Sequence, residues 1–256
     1  MKKLEVIKIG GKVIDQPEQL GKVLNAFSKI RGPKILIHGG GSKASEMERT
    51  LGLTPKMVDG RRVTSSEALE VVTMVYAGLI NKTIVAQLQS FGCNALGLSG
   101  PDGNSILASK RPVNPIDFGF VGDVKQVNAT FVETLLQSGI TPVFSAITHD
   151  GKGQLLNTNA DTMASVIASA FALIYEVHLT LAFEKEGVLD DSGNVIDKID
   201  KNYFHTLVKN GTIKEGMIPK LTNAFNALTN GVKKVKLTSS ENISNTNQVF
   251  TNVTLS

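Results

Sequence analysis

The amino-acid sequence predicts an α/β fold, a three-layer αβα sandwich around a central, mainly parallel sheet. Short apolar runs of strand length alternate along the chain with segments whose apolar residues recur at helical spacing. Strands that alternate with helices form parallel sheets, and such sheets are covered on both faces. Glycine-rich turns directly after several of the runs mark the strand ends. The 256 residues contain no internal repeat or linker, so we expect a single domain, 1–256.

Strands are predicted where short apolar runs end at turn-forming residues. They are residues 4–9, 34–37, 95–98, 141–147, 178–183, 235–237 and 248–255, and residues 120–127 are expected to be half of a surface hairpin.

Helices are predicted where apolar residues lie three and four positions apart. They are residues 20–30, 43–51, a long helix from Ser66, 130–138, a helix from Asp161 to about 177, and a helix in which Pro219 takes the first position. The sequence Thr64-Ser65-Ser66-Glu67 has the form of a capping box and would open the long helix. The helix after Asp161 is extended that far because its 3.6-residue apolar period continues through Ile174 and Tyr175.

Composition excludes several classes of protein. Cys93 is the only cysteine, so neither an internal disulfide nor a cysteine-rich zinc site can form. The net charge of +4 comes from scattered lysines and arginines, and aromatic residues make up 5%, which does not favour nucleic-acid binding. Charged residues interrupt the N-terminus, and the apolar run 71–80 is shorter than a membrane span. We therefore expect a cytoplasmic protein with neither nucleic-acid nor membrane partners.

Three glycine-rich turns follow predicted strands directly, at residues 10–11, 39–41 and 99–100. Because ligands of such folds bind outside the carboxyl ends of the strands, these turns are expected to converge on one edge of the sheet. Three glycines between a strand and a helix also place backbone N–H groups at a helix N-terminus, which favours anions. His38, beside the second turn, is expected to be packed and hydrogen-bonded rather than catalytic.

Two lysines occupy positions that are costly without a neighbouring anion. Lys8 lies inside an apolar strand, and Lys220 lies at a helix start, where a cation opposes the helix dipole. A lysine on an edge strand before an ordinary turn is the alternative for Lys8. The glycines that follow Lys8 match neither a P-loop nor a dinucleotide-binding pattern.

Polar residues precede two predicted helices. Arg62 lies before the long helix, and arginine is suited to binding a carboxylate through two hydrogen bonds. Asn157, Asn159 and Asp161 lie at a loop-to-helix junction. Solvated arginines and simple helix capping are the alternatives. Two lysines, one carboxylate, glycine turns and an arginine, without an activated nucleophile, suit phosphoryl transfer by positioning and charge neutralisation.

On these residues the sequence resembles the amino acid kinase family, and within it the acetylglutamate kinases. The resemblance covers nearly the whole chain and rests on five motifs in the same order and at similar spacing, residues 8–11, 38–41, 60–64, 157–161 and 216–220. It implies one α/β fold in which about residues 1–172 bind the acyl amino acid and about residues 173–256 bind ATP.

The resemblance also implies roles for individual residues. Lys8 and Lys220 would neutralise charge on the transferring phosphoryl group, and Asp161 would hold both lysines in place. The residues implied to bind substrate are Gly40, Gly41, Arg62 and Asn157, with Arg62 on the α-carboxylate. The residues implied to bind the nucleotide are Gly10, Gly11, Glu184, Gly187, Thr212, Ile213 and Lys214, and no residue is assigned to a metal.

The implied reaction is ATP-dependent phosphorylation of the γ-carboxylate of N-acetylglutamate, or of a related N-acylglutamate such as the succinyl compound, in arginine biosynthesis. Such a carboxylate is already ionised at neutral pH, so no general base is needed. Mg²⁺ would be carried by ATP and water rather than by a cage of carboxylates. A non-catalytic ATP-binding regulator or storage protein on the same fold is the alternative from another class.

Two segments depart from the family pattern. Phe183-Glu184 stands where relatives carry a Thr/Ser-Asp pair, and the C-terminal Gly-Thr of relatives has no counterpart in residues 250–256. Contacts to adenine are therefore not carried over. The chain begins at its first strand, without the extra N-terminal helix of hexameric, arginine-sensing relatives. We accordingly expect a homodimer without arginine feedback, built partly on the long helix Ser66–Ser90.

Overall fold

A computed structural model describes residues 1–10, 13–58, 60–214, 216–243 and 249–256. Its strands are β1 (Lys3–Ile9), β2 (Lys34–His38), β3 (Lys56–Val58), β4 (Arg61–Val63), β5 (Ala95–Leu98), β6 (Ile106–Lys110), β7 (Gly122–Val127), β8 (Thr141–Ser145), β9 (Ile147–His149), β10 (Leu155–Asn157), β11 (Glu176–Phe183), β12 (Lys198–Ile199), β13 (Lys234–Ser239) and β14 (Thr251–Val253).

The α-helices connect these strands on both sides of the sheet. They are α1 (Pro17–Ser28), α2 (Gly41–Thr50), α3 (Ser66–Thr73), α4 (Asn81–Ser90), α5 (Ala129–Gln137), α6 (Ala160–Phe171), α7 (Lys201–Lys209) and α8 (Met217–Thr229). A π-helical segment, Met74–Ile80, joins α3 to α4. The hairpin β3–β4 and helix α7 were not predicted from the sequence.

Within the described ranges, eight strands form one sheet in the order β12-β14-β13-β11-β1-β2-β8-β5. Every neighbouring pair is parallel except β13–β14. All residues of β2 and β8 are buried, and because successive side chains point to opposite faces, both faces of the sheet are covered. The predicted α/β fold with a mainly parallel central sheet is confirmed.

Strand β1 lies in the middle of this sheet, between β11 and β2. Lys8 is paired in register with Leu181 on one side and Ile37 on the other. The alternative of a lysine on an edge strand is therefore wrong, and the cost of placing an ammonium group at the centre of the sheet has to be offset by a partner.

The chain leaves the large sheet sooner than the predicted strand 141–147 implies. β8 ends at Ser145, and β9 joins a second sheet of order β10-β9-β6-β7. The expected hairpin at 120–127 is confirmed, because β7 pairs antiparallel with β6. The closing strand is shorter than predicted: β14 covers three residues, and residues 244–248 lie outside the described part of the chain.

The predicted helix from Asp161 to about 177 is wrong at its C-terminal end. α6 ends at Phe171, and β11 begins at Glu176. Glu176 donates its N–H to the carbonyl of Lys2 and starts the pairing with β1. The backbone at Glu176 therefore forms sheet hydrogen bonds and cannot continue the helix. Leu173, in the turn between them, is 90% exposed, which shows that the helical apolar period does not continue through the turn.

One predicted helix cap and one predicted helix start are displaced. The long helix is capped by Ser65, whose side chain accepts from the N–H of Ala68, whereas the predicted box would place the cap at Thr64. α8 begins at Met217, so Pro219 is its third residue rather than its first. Proline is tolerated there because the N–H groups of the first helical turn have no intrahelical acceptor.

The continuous helix Ser66–Ser90 is long and apolar enough to cross a bilayer, with a mean hydropathy of 1.4 over its best window. Half of that window is buried inside the fold, and Val72, Ile84 and Leu88 belong to the hydrophobic core. Core helices of soluble proteins pass the same length and composition test, so this helix is poor support for a membrane span.

Candidate functional site

The centre of the site is one carboxylate that holds two buried ammonium groups. Lys8 Nζ lies 2.9 Å from Asp161 Oδ1, and Lys220 Nζ lies 2.6 Å from Asp161 Oδ2. Each lysine is only 8% exposed. The two lysines are 212 residues apart in the sequence, so only the fold brings them together. The predicted convergence of these three side chains is present in the structure.

Local sequence explains how each group reaches this point. Lys8 is near the carboxyl end of the central strand β1, and a Cβ on Gly10 would collide with its ammonium group. Asp161 lies in the first turn of α6 because Asn159 caps that helix, accepting from the N–H of Thr162. Lys220 lies in the first turn of α8. The glycine and the cap are therefore parts of the site.

The electrostatics favour charged forms at this centre. Burial alone would raise the pKa of the Asp161 carboxyl, but Lys8 and Lys220 outweigh it and hold that pKa well below its usual range. Burial lowers the pKa of Lys220, and Asp161 opposes this shift. Two ammonium groups share one carboxylate, so the cluster carries one net positive charge, which suits an anionic ligand.

The glycine turn after β2 brings backbone close to this cluster. Gly40 has φ +154°, and a Cβ there would meet Ile80 and the ring of Tyr76. Only glycine therefore fits at this position. Gly41 is the first residue of α2, so its N–H has no intrahelical acceptor and is available to a ligand.

Arg62 is buried, and its guanidinium is held by protein groups. It donates to Gly41 O at 2.9 Å, to Ser45 Oγ at 2.7 Å and to the carboxylate of Glu48. The alternative of a solvated arginine is thus wrong for Arg62. Glu48 was not predicted as part of the site, because nothing in the spacing of α2 distinguishes it from the exposed Glu46.

The side chain of Asn157 is held by Thr64, the residue that the capping-box pattern predicts as the helix cap. The side-chain N–H of Asn157 donates to Thr64 Oγ1 at 3.0 Å, and Thr64 is fully buried. Ser65, directly before the first residue of the long helix, is the cap instead. The hydrogen bond to Thr64 fixes the Asn157 amide at the end of β10, beside the loop that leads into α6.

One cavity at the carboxyl edge of the sheet collects most of these groups. Its predicted members are Lys8, Gly10, Gly40, Gly41, Arg62, Asn157 and Asp161. Lys220 reaches it through Asp161. The cavity is also lined by residues that were not predicted to belong to the site, Met57, Tyr76, Arg111, Val121 and Ala146. This arrangement can bind an anionic ligand along its length and stabilise added negative charge at the lysine end.

A comparison with known proteins decides the family. The profile described as "Amino acid kinase family" matches residues 3–239. The chain belongs to the amino acid kinase family. Acetylglutamate kinase from Parabacteroides distasonis is 51% identical over 246 residues, which cover 95% of this chain and 96% of that protein. Acetylglutamate kinase from Methanopyrus kandleri is 40% identical over 247 residues, covering 94% and 96%.

Solved structures agree on the amino acid kinase fold. A protein from Streptococcus mutans UA159 superposes with a TM-score of 0.83 at 26% identity, covering all of both chains. Carbamate kinase from Giardia lamblia bound to AMP-PNP gives a TM-score of 0.71 at 14% identity, covering 98% of each chain, and this likeness concerns the fold alone.

The residues that family resemblance assigns to the nucleotide do not line the cavity described above, apart from Gly10. Glu184 and Lys214 are exposed, while Ile213 is buried in the core. Thr212 Oγ1 donates to Asp191 at 3.1 Å. Gly11 lies outside the described residues.

Gly187 has a packing role that is independent of any ligand. A Cβ there would meet Val195 and the backbone of Thr251, and Thr251 Oγ1 accepts from the neighbouring N–H of Val188 at 2.8 Å. The turn after β11 is therefore fastened to β14.

The third glycine turn is also outside this cavity, contrary to the expectation that all three converge. Gly100 donates its N–H to Ile147 O at 2.7 Å, and a Cβ there would meet the backbone of Thr148. Its glycine is explained by close packing of the second sheet against the turn that follows β5.

His38 is packed and hydrogen-bonded, as predicted. Asn81 donates from its amide to His38 Nε2 at 3.0 Å, so Nδ1 carries the proton and donates to Gly39 O at 2.9 Å. Burial lowers the pKa of His38 to about 4. The ring therefore stays neutral at physiological pH and orients the glycine turn.

This shift predicts a pH-dependent loss of stability. Below the unfolded pKa of about 6.5 the unfolded chain takes up a proton that folded His38 refuses, so stability falls between pH 6.5 and 4, by about 3 kcal/mol in total. Urea unfolding at several pH values should show a flatter dependence for His38→Asn than for the native chain. His205→Gln, an exposed position on α7, is the control, and an unchanged slope in His38→Asn would contradict the assignment.

Proposed function

We propose that this chain catalyses ATP-dependent phosphorylation of the γ-carboxylate of N-acetylglutamate. The observation that carries the proposal is the pairing of Lys8 and Lys220 with Asp161 in a cavity that also contains Arg62. Full-length relatives at about half identity are named acetylglutamate kinases, which supports the acceptor. This is a biosynthetic phosphotransferase reaction on two small molecules, and it would take place in the cytoplasm.

The chemistry joins two anions. A γ-carboxylate oxygen attacks the terminal phosphorus of ATP, the new C–O–P bond forms, and the bond from that phosphorus to the bridging oxygen of ADP breaks. Lys8 and Lys220 offset the Coulombic repulsion and the charge on the transferring group. The attacking carboxylate is ionised at neutral pH, so no side chain has to remove a proton.

Mg²⁺ would be held mainly by the phosphate oxygens of ATP, where it supplies further charge neutralisation. Across the described ranges no group of three His, Cys, Asp or Glu side chains could hold a metal ion. The carboxylate at the centre of the site, Asp161, is already ion-paired with both lysines. The donor set of this site therefore fits a nucleotide-borne ion rather than a protein-borne one.

Substrate is proposed to lie along the cavity from the lysines to Arg62. The backbone of Gly40 and Gly41 would contact the transferring group and the acyl amino acid, and Asn157 would hold the substrate amide. Residues 1–172 would form this lobe. Residues 173–256 would bind ATP through Glu184, Gly187, Thr212, Ile213 and Lys214, and Gly10 and Gly11 of the first lobe would also contact it.

The proposal is tested by trapping the acyl phosphate. With ATP and Mg²⁺, hydroxylamine should convert the product of N-acetylglutamate to a hydroxamate, and initial rates with N-succinylglutamate should be lower. Faster turnover of the succinyl compound would reassign the acyl group. No hydroxamate from either compound, together with intact ATP binding, would instead favour a non-catalytic binding protein.

Arg62→Ala is expected to raise KM for N-acetylglutamate by about a hundredfold, because a buried charged hydrogen-bonding partner of the α-carboxylate is lost. KM for ATP should change less than about twofold. Initial rates with each substrate varied in turn check this split. A matching rise in the ATP KM would contradict the placement of Arg62 at the amino-acid end.

A homodimer is proposed from an exposed apolar surface. Met74 and Leu79 on the long helix are 56% and 50% exposed, and Leu96 on the edge strand β5 is 40% exposed. A second copy covering this surface would bury these side chains. Light scattering should give a dimer mass that does not depend on arginine, and a hexamer would overturn the proposal.

A further inference from the structure

The guanidinium of Arg62 rests on a row of three acceptors presented by a single helix. Gly41 O, Ser45 Oγ and the Glu48 carboxylate all belong to α2. Their spacing of four and then three residues places them on one face of the helix. Arg62 itself comes from β4, so these contacts also join the β3–β4 hairpin to α2.

Glu48 is unusual among the acidic residues of α2. It is 2% exposed, whereas Glu46 on the same helix is exposed and pairs with Lys43 at the surface. A buried carboxylate is strongly unfavourable unless it is paired and hydrogen-bonded. Arg62, with a side chain 5% exposed, supplies that partner. The position of Glu48 is therefore specified by Arg62, and the position of Arg62 by Glu48.

The contacts with α2 leave two donors of the guanidinium unused, and Arg62 lines the cavity. Arginine carries five N–H donors, and Arg62 uses three of them on α2. A free arginine side chain would lose considerable rotational freedom on binding a substrate. Here that freedom is already lost in the folded protein. Arg61 lines the same cavity, so a cationic group remains there even though Glu48 neutralises Arg62 and Asp123 neutralises Arg111.

We propose that Glu48 is the positioning residue for Arg62, fixing its guanidinium for the α-carboxylate of the acyl amino acid. The inference rests on the proposed function, since it takes Arg62 to be the substrate-binding arginine. Glu48 touches no reacting atom. Its contribution is a hydrogen-bond acceptor at a fixed place, and therefore an effect on KM for the acyl amino acid rather than on kcat.

The test compares two substitutions of similar length. Glu48→Gln keeps an acceptor oxygen for Arg62, and Glu48→Met keeps the volume but removes the acceptor. We expect Glu48→Met to raise KM for N-acetylglutamate about tenfold, with kcat and the ATP KM within about twofold of the native values. In Glu48→Gln, kcat and the KM values for N-acetylglutamate and ATP should all stay within about threefold of the native values. Glu46→Gln, at the exposed acidic position of α2, is the matched control.

Two results would overturn the proposal: an unchanged acetylglutamate KM in Glu48→Met, or an equal rise of that KM in Glu48→Gln and Glu48→Met. If Glu48→Met does not fold, Glu48→Asp takes its place: it keeps the charge but withdraws the acceptor by one methylene, with an expected rise of about threefold, and an unchanged KM again contradicts the proposal. A native protein that fails to phosphorylate N-acetylglutamate contradicts the proposed function itself. The two failures are therefore distinguishable.

Discussion

Asp161→Asn should lower kcat for acetylglutamate phosphorylation by about a thousandfold. The native carboxylate holds both lysine ammonium groups within 2.9 Å of its oxygens. Without its charge the two cations repel each other, and neither is held where the transferring phosphoryl group gains charge. A buried ion pair that loses one partner also leaves the other charges uncompensated.

The pH dependence of kcat in Asp161→Asn should also show the loss of the Asp161 charge. Asp161 opposes the burial that lowers the pKa of Lys220. In Asp161→Asn that pKa falls further, so Lys220 loses its proton at lower pH and the alkaline limb of the kcat profile moves toward neutrality. The double variant Asp161→Asn, Lys220→Met should cost little more than the worse single variant, because the residues act as one unit. Fully additive losses would show that Asp161 acts independently of Lys220.

Lys8→Ala should lower kcat by about a hundredfold and leave KM for ATP within about twofold. Lys8 is one of two ammonium groups at the proposed point of transfer, and the charge that it offsets is largest in the transition state. Its loss also removes one of the two partners of Asp161 and shortens a buried side chain at the centre of the sheet.

Initial rates across both substrate concentrations separate these effects, and thermal unfolding checks that the variant is folded. Lys233→Ala, at an exposed position before β13, is the matched control and should retain native rates. A large rise in ATP KM at nearly native kcat would place Lys8 in ground-state nucleotide binding instead of phosphoryl transfer.

The sequence could predict the core of the candidate site because each part is locally encoded. Lys8 stands out as a charge within an apolar strand, and Asp161 and Lys220 stand in first turns of helices that capping and periodicity reveal. The glycines at 39–41 are similarly visible, since three consecutive glycines stand between an apolar strand and a helix. Each of these signals is a property of about ten consecutive residues.

Other features depended on partners far away in the chain. Thr64 fits a capping box, yet its hydroxyl accepts from Asn157, 93 residues on. Glu48 and Arg111 give no local signal. Glu48 meets Arg62 only because α2 lies beside β4, and Arg111, which follows β6, lines the cavity only through the fold. The glycine turn at 99–100 has the same composition as a ligand-binding turn, but it packs against Thr148 instead.

By itself, then, the sequence determined the alternation of strands and helices, the mainly parallel sheet and the charged residues at the strand and helix ends, because hydrophobic periodicity and glycine turns act over short range. Only the tertiary structure decided where α6 stops, since pairing of β11 with β1 outweighs a continuing helical period. It also decided which carboxylate each cation meets, Asp161 for the lysines and Glu48 for Arg62. Ion pairing depends on the distance between charges in space and on their burial, and the spacing of residues along the chain determines neither.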